Sequence, residues 1–291
     1  MDLALIEQEA NAFLDVLKNI DMNEIEAAAI EEEQAECPVI HRFSPGLYIR
    51  ELSVAGGTFL LGHTHKVEHL NIFLKGRVRV LNDDGEIIEM KAPMIFTGKP
   101  GRKMGYVIED MVWLNVWPTD ETDVEKLEDM FLEKTADSME KVESIRNDVD
   151  RSGDIEDYRK MLVEYGISEK EAREESERTH DLIGFPHCGL PVMLASSPIE
   201  GRGLFATASI EKDHLICPMR IGTQRTPAGR FTNHSKNPNS YIVQGEGTDL
   251  LLYAKKDIMG CKGGFSGDEI TIDYREALEM RLRQFGKRGD I

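Results

Sequence analysis

Clustered cysteines, long apolar runs and internal repeats are all missing from this 291-residue chain. Its four cysteines, Cys37, Cys188, Cys217 and Cys261, stand far apart with no C-x-x-C. That excludes a zinc knuckle and a disulfide framework, and it suits free thiols in a reducing compartment. No apolar run reaches membrane-spanning length, so no membrane partner is expected. The opening MDLALIEQEA lacks the basic stretch of a secretory leader, and a cytoplasmic protein is the expectation. Basic residues are also in short supply: 35 Lys and Arg face 53 Asp and Glu, a net charge of −18. The deficit lies in residues 1–180, with 21 basic against 40 acidic residues, while residues 181–291 are nearly balanced at 14 against 13. This charge argues against nucleic acid as a partner and is compatible with a basic protein or with a merely solvated acidic face.

What is present suits two domains, with 41% hydrophobic residues to build their cores. Residues 1–36 read as an acidic helical arm. Leu3, Ile6, Ala10, Phe13, Leu17 and Ile20 step by three and four, a heptad seam, and Asp21 with Glu24 opens a second helix before Pro38. The seam either joins protomers into a homo-oligomer or docks on the next domain, and fewer than three heptads leave both open. In residues 37–118 the runs GLYIREL, GGTFLLG, HLNIFLKG, RVRVLN, EIIEMK, APMIFTG and MVWLNVW are separated by Gly, Pro and Asn-Asp-Asp-Gly signals. Seven or more short strands so spaced predict a small antiparallel barrel or jelly roll. Residues 119–189 read as a helical connector, with Val124, Leu127, Phe131, Val142 and Ile145 on one face and a capping box from Ser168 to Glu171. Residues 190–276 are strand-rich but irregular, and 277–291 form a short basic tail. The expected fold class is mainly β with helical segments.

Three histidines fall in GHTHKVEH. His63 and His65, two apart on a predicted strand, leave one face, and His69 follows after a turn. Imidazole nitrogens suit zinc, iron, copper or nickel, and three of them with an open fourth position make a catalytic-type zinc arrangement. The register of Gly57, His63, His65, His69 and Gly76 resembles the first motif of the cupin family. His69 stands where that family has Glu, and Glu68, one place early, faces the other way. In the best match to the second motif, KPGRKMGYV, Met104 takes the histidine's place. The resemblance implies a cupin-like barrel. Its histidines either hold a divalent transition metal, zinc or iron, or serve as polar core residues without one. The misplaced carboxylate speaks against an iron oxygenase and for an assembly role.

The stretch RFTNHSKNPN, residues 230–239, has no apolar periodicity, and its Asn, Ser and Pro content marks a tightly specified loop. With GRGLFA (201–206) before it and GDEITIDY (267–274) after it, the chain resembles the SET-domain family of protein-lysine methyltransferases over residues 190–276. The resemblance implies a pseudoknot, in which the loop is locked by Asn233, Ser235, Asn237 and Asn239 while later chain passes through it. It implies a site for S-adenosylmethionine (AdoMet), with Asn233 on the methionine part, His234 beside the adenine and the backbone of Arg202 and Gly203 on the other side. It makes Tyr274 the catalytic tyrosine. Only 29 residues separate Gly203 from Asn233, no cysteine follows Cys261, and Lys236 replaces a common cysteine. Compact viral members of the family share these simplifications. Phe285 either closes the lysine channel or simply packs. The implied function is methylation of a lysine on a protein substrate, and the acidic charge is compatible with a basic one. The rival reading is a non-catalytic structural or adaptor protein of the kind found in virus particles. His180, His187 and Cys188 are expected in a turn, and Tyr241 and Tyr253 on strands.

Overall fold

Period-two alternation in residues 37–118 becomes one antiparallel sheet in a computed structural model that describes residues 3–82, 85–147, 151, 153–186, 189–264 and 266–285. The chain divides into two units, Met1–Ile145 with Cys261–Ser266, and Arg146–Gly260 with Gly267–Ile291. No helix among the described residues is long and apolar enough to cross a membrane.

The first unit runs α1 (Leu3–Leu17), α2 (Met22–Glu31), β1 (Val39–Ser44), β2 (Leu47–Val54), β3 (Phe59–Leu61), β4 (Thr64–His65), β5 (His69–Leu81), β6 (Ile87–Lys91), β7 (Met94–Gly98), β8 (Met104–Pro118), α3 (Val124–Phe131) and β9 (Leu132–Glu133), followed by α4 (Ala136–Asn147). Seven strands form the sheet in the order β1-β2-β8-β5-β6, with β3 also on β8 and β7 also on β5. Its spine is the long antiparallel pair of β5 and β8, from Leu70 opposite Val116 to Leu81 opposite Met104, with register shifts between Phe73 and Val78. HLNIFLKG and RVRVLN, expected as two strands, are therefore one strand bent at Gly76. A Cβ at Gly76, whose φ is +100°, would lie 2.5 Å from the Asp110 carbonyl oxygen and 2.7 Å from that of Glu109. Only glycine lets the bulged backbone come so close.

Alternate residues of these strands build two apolar clusters, one around Val39, Val54, Phe73, Val78, Val107 and Met111, the other around Tyr48, Trp117, Leu127, Phe131 and Leu132. Of the two roles open to the α1 seam, docking is the one seen within this unit. Ile6 and Ala10 pack on Ile108, and Phe13 meets Phe59 edge-on at 5.0 Å. The buried residues of α1 are Ile6, Ala10 and Leu14, while Leu3, Phe13 and Ile20 remain 42%, 42% and 38% exposed. The segment Cys261–Ser266 pairs with the chain before β1 through Cys37 N–H to Cys261 O and Gly263 N–H to Ala35 O, both 3.0 Å.

The second unit contains α5 (Asp154–Glu164), α6 (Glu169–Glu177), β10 (Val192–Ser196), β11 (Arg202–Ala206), β12 (Leu215–Ile221), β13 (Gln224–Arg225), α7 (Pro227–Phe231), β14 (Asn233–His234), β15 (Ser240–Gln244), β16 (Leu250–Ala254), β17 (Glu269–Ile272) and α8 (Tyr274–Phe285). It has two four-stranded sheets, β10-β11-β17-β14 and β13-β12-β16-β15, around a core that includes Leu204, Ile216, Leu252, Ile270 and Ile272. The pairing of β14 with β17 is parallel, with Asn233 opposite Thr271 and His234 opposite Ile272. Ser168 and Glu171 form the expected capping box of α6.

Two sequence expectations change. The stretch expected as one connector is shared, because α3 and β9 bury Leu127, Phe131 and Leu132 in the first unit and α5 belongs to the second. The start of the expected tail lies in α8, whose run of Glu, Ala, Leu, Met, Arg and Gln favours helix and whose Ala277 and Met280 pack on the core. His187, Cys188 and the Phe285 side chain lie outside the described residues.

Candidate functional site

Within the second unit, the three stretches singled out in the sequence meet on one carboxylate. Glu269 opens β17 with its side chain fully buried. Its Oε1 accepts hydrogen bonds from Ser197 Oγ at 2.7 Å and Asn233 Nδ2 at 2.8 Å, and Arg151 lies 3.3 Å from its Oε2. On β11, a Cβ at Gly203 would overlap Glu269 Oε1. Glycine is needed there because the carboxylate occupies the side-chain position. Asn233 Nδ2 also lies 3.0 Å from Ser197 Oγ and 3.2 Å from the Arg202 carbonyl oxygen. The two N–H groups of this amide thus have acceptors inside the protein.

The loop that follows is fastened on two sides. Asn239 spans β17, donating to the Glu269 carbonyl and accepting from the Thr271 N–H, both at 2.8 Å, and Ser240 Oγ donates to the Thr271 carbonyl at 2.7 Å. On the other side Asp154 accepts from Lys236 N–H at 2.9 Å and from Ser235 Oγ at 3.3 Å. Side chains of Ser235 and Asn239 therefore bond as expected, whereas Asn237 contributes its backbone N–H, to Ser235 Oγ at 3.1 Å.

His234 is buried between two partners. Its Nδ1 accepts the Tyr274 N–H at 3.2 Å, which leaves Nε2–H to donate to Asp157 Oδ2 at 3.0 Å. Asp157 also takes Arg275 at 2.7 Å, and that bond, opposed by burial and aided by His234, holds its carboxyl below the usual range. The Tyr274 ring lies 5.3 Å from the His234 ring and 6.0 Å, edge-on, from that of Tyr158. Its hydroxyl donates to the Thr232 carbonyl at 3.1 Å, and burial, with Tyr158 nearby, pushes its pKa up. The phenol is therefore an O–H donor at neutral pH rather than a base. Arg202, on β11, reaches the Leu194 carbonyl at 3.3 Å and lies over the Phe231 ring.

Sequence reasoning did not single out Glu269, Ser197, Asp154, Asp157, Arg151 or Arg275. Asp154 and Asp157 carried a usable signal, two acidic residues three apart at a helix start. Glu269 lay within GDEITIDY but reads as an ordinary strand residue until Gly203 and Asn233 are seen facing it.

In the first unit the histidines stand differently from expectation. His65 lies in β4 and His69 opens β5, but His63 belongs to the link between β3 and β4. The same-strand argument for His63 and His65 therefore does not hold. The His65 and His69 rings stack at 4.1 Å and 17°, and both face Trp117, at 5.9 and 5.2 Å. His69 Nδ1 lies 3.1 Å from the Val67 carbonyl oxygen, and His65 Nδ1 is buried without a partner. Burial lowers the pKa of all three, His63 to about 4 and His65 to about 3. They are neutral at neutral pH, which is the metal-binding form. Even so, no group of three or more His, Cys, Asp or Glu among the described residues is arranged to hold a metal ion. Met104, in the place of the second-motif histidine, starts β8 and is buried in the core.

No protein-family model matches the chain, and no curated protein does. Among solved structures it is similar to the EutQ protein of Clostridium difficile, with 14% identity and a TM-score of 0.25 over 29% of this chain and 70% of that one. It is similar to a cupin-2 domain protein of Shewanella frigidimarina, with 13% identity and a TM-score of 0.24 over 35% and 96%. A third is KdgF from Halomonas sp., at 12% identity and a TM-score of 0.26 over 31% and 87%.

Proposed function

We propose that the second unit is an AdoMet-dependent methyltransferase acting on a lysine side chain of a protein, and that the first unit is a cupin-like barrel serving assembly or holding a metal. The observation that carries the first part is the meeting of three distant stretches, through Gly203, Asn233 and Glu269, with His234 and Tyr274 adjoining. Each stretch alone is common. Their convergence on one cluster is what a shared site requires.

In this reading the backbone of Arg202 and Gly203 lines one side of the cofactor and the Asn233–His234 segment the other. The Asn233 side-chain N–H donors are already taken by Glu269 and the Arg202 carbonyl, and the side-chain face of Gly203 by Glu269, so recognition falls on backbone groups and on the Asn233 side-chain oxygen. AdoMet supplies the methyl group: the lysine nitrogen forms the new bond as the carbon–sulfur bond breaks, and a proton leaves the product amine. Such an in-line displacement depends chiefly on positioning. The Tyr274 hydroxyl, held protonated, orients the neutral amine and contacts the methyl hydrogens. A desolvated channel beside the sulfonium lowers the lysine pKa. The 40 acidic residues in 1–180 favour a basic protein substrate.

One observation favours a second reading, that the cluster is purely structural within an adaptor protein: Asn233 and Gly203 are already satisfied by Glu269. Incubating the full chain with methyl-labelled AdoMet and histones as a lysine-rich mixture separates the two. Label on lysine, lost in Tyr274→Phe, supports the enzyme. No label under conditions where the chain is folded supports the adaptor.

A further inference from the structure

Charges inside the first unit are mostly matched. Arg102 lies 2.8 Å from Glu26 and Lys134 2.7 Å from Glu128, and Arg79 lies 3.1 Å from Glu89. Arg50 is different. It sits on β2 with only 8% of its surface exposed. Its Nε is fully buried without a hydrogen-bond partner, and no acceptor or carboxylate among the described residues holds the rest of the guanidinium. Leaving a buried cation short of a hydrogen-bond acceptor is costly unless something else answers it.

Its surroundings are built for polar contact. The strand register places His41 of β1 and Asn115 of β8 directly opposite Arg50, and Asn71 of β5 opposite Asn115. All four are buried, so a polar band crosses four neighbouring strands. On one side runs the apolar row Val39, Leu52, Trp113 and Phe73, and on the other Phe43, Tyr48 and Trp117. The rest of the band is engaged. Asn71 Oδ1 accepts from Asn115 at 2.8 Å and from Trp113 Nε1 at 2.7 Å, and His41 Nδ1 lies 2.8 Å from the Tyr48 hydroxyl.

Neighbouring charges answer Arg50 only in part. Burial would raise the Glu128 carboxyl, but Lys134, 2.7 Å away, and Arg50 hold it below the usual range. The Cys37 sulfur already has the Gly264 N–H at 3.1 Å and Cys261 Sγ at 4.0 Å. His41, opposite Arg50, is held at about 4 by burial and stays neutral. Arg50 and Lys134 thus share one buried carboxylate.

We propose that Arg50 anchors a small carboxylate within the first unit, flanked by Asn115 and His41. The forked N–H groups of a guanidinium match two carboxylate oxygens, and one negative charge completes the balance, whereas a phosphate dianion would bury a second, unmatched charge. The site is independent of the methyl-transfer reading.

Both tryptophans of the chain, Trp113 and Trp117, lie in this unit, so tryptophan fluorescence follows its melting. The test uses the full chain, freed of metal by chelation, in an amine buffer, with acetate and pyruvate as probes and acetamide and phosphate as controls. Acetate or pyruvate raises the fluorescence midpoint saturably, and acetamide and phosphate do not. Arg50→Gln weakens that response roughly a hundredfold or more, as loss of one member of a buried charge pair does, and Arg50→Lys retains a weaker one. Without ligand, Arg50→Gln melts no lower than the native chain, because an unanswered charge has been removed. Should Arg50→Gln not fold, titration of carbon-13 acetate into the native chain, read by its NMR line width, still decides. An absent response to both carboxylates, an equal response to phosphate, or an equal response in Arg50→Gln overturns the proposal.

Discussion

The two units differ in how far they answer their buried polar side chains. In the second, Glu269 Oε1 accepts from Ser197 and Asn233, Arg151 lies 3.3 Å from an Oε2 that has no hydrogen bond, and His234 lies between Asp157 and the Tyr274 backbone. In the first, the Nε of Arg50 and the Nδ1 of His65 are buried without a hydrogen-bond partner, and no ion pair among the described residues reaches Arg50. A closed network fixes a shape and is expensive to break, while an open one costs stability until a ligand arrives. The comparison separates residues that hold a site together from those that wait for a ligand, a distinction residue type alone does not give.

The largest expected effect tests the closed side. Glu269→Ala leaves Asn233, Ser197 and Arg151 without their shared acceptor and should cost about 3–5 kcal/mol, the range for breaking a buried pair. Urea unfolding followed by circular dichroism should show the loss, while the tryptophan signal of the first unit stays in place. A shift of the tryptophan transition instead would put the damage in the wrong unit.

Next is Tyr274→Phe, predicted to lower methyl transfer roughly 10²-fold while AdoMet affinity holds, since the hydroxyl acts in the transition state. A less stable variant with full turnover per folded molecule would make Tyr274 structural only. Gly76→Ala tests the bent spine. Its φ of +100° and the two facing carbonyls should cost about 1–3 kcal/mol, seen as a lower tryptophan midpoint.

Acid pH gives a further test. His41 is buried and held at about 4, against an ordinary value of 6.5. The unfolded chain therefore takes up a proton that the folded chain refuses. Stability of the first unit is full above 6.5 and falls as pH drops toward 4, by about 1.4 kcal/mol per unit for one such group. In the second unit the carboxyls of Asp157 and Asp181 are lowered chiefly by bonds from Arg275 and Arg225. Their contribution persists until pH falls below the ordinary value of 3.8. Acid titration should thus move the tryptophan transition first.

Much of the fold was legible because alternation and turn residues are local signals. GLYIREL, EIIEMK and EITIDY each give a strand, and Ser168 with Glu171 caps a helix. The bend at Gly76 was not, because its cause lies on another strand at Asp110. Asn233, His234 and Tyr274 were named from their stretches and do come together. Ser197, Asp157 and Asp154, which bond to Asn233, His234 and Ser235, stayed hidden because they lie 36 to 81 residues away in sequence. The histidines show the converse. His63 and His65 have strand spacing, yet the strand starts only at Thr64.

Calorimetric titration of the full chain with AdoMet, and with its demethylated product, tests the central claim most directly. The account predicts saturable heat for both, with Asn233→Ala weakening each by about 1–3 kcal/mol through the loss of a polar contact. No heat from either compound at millimolar concentration, with the chain folded, would contradict it.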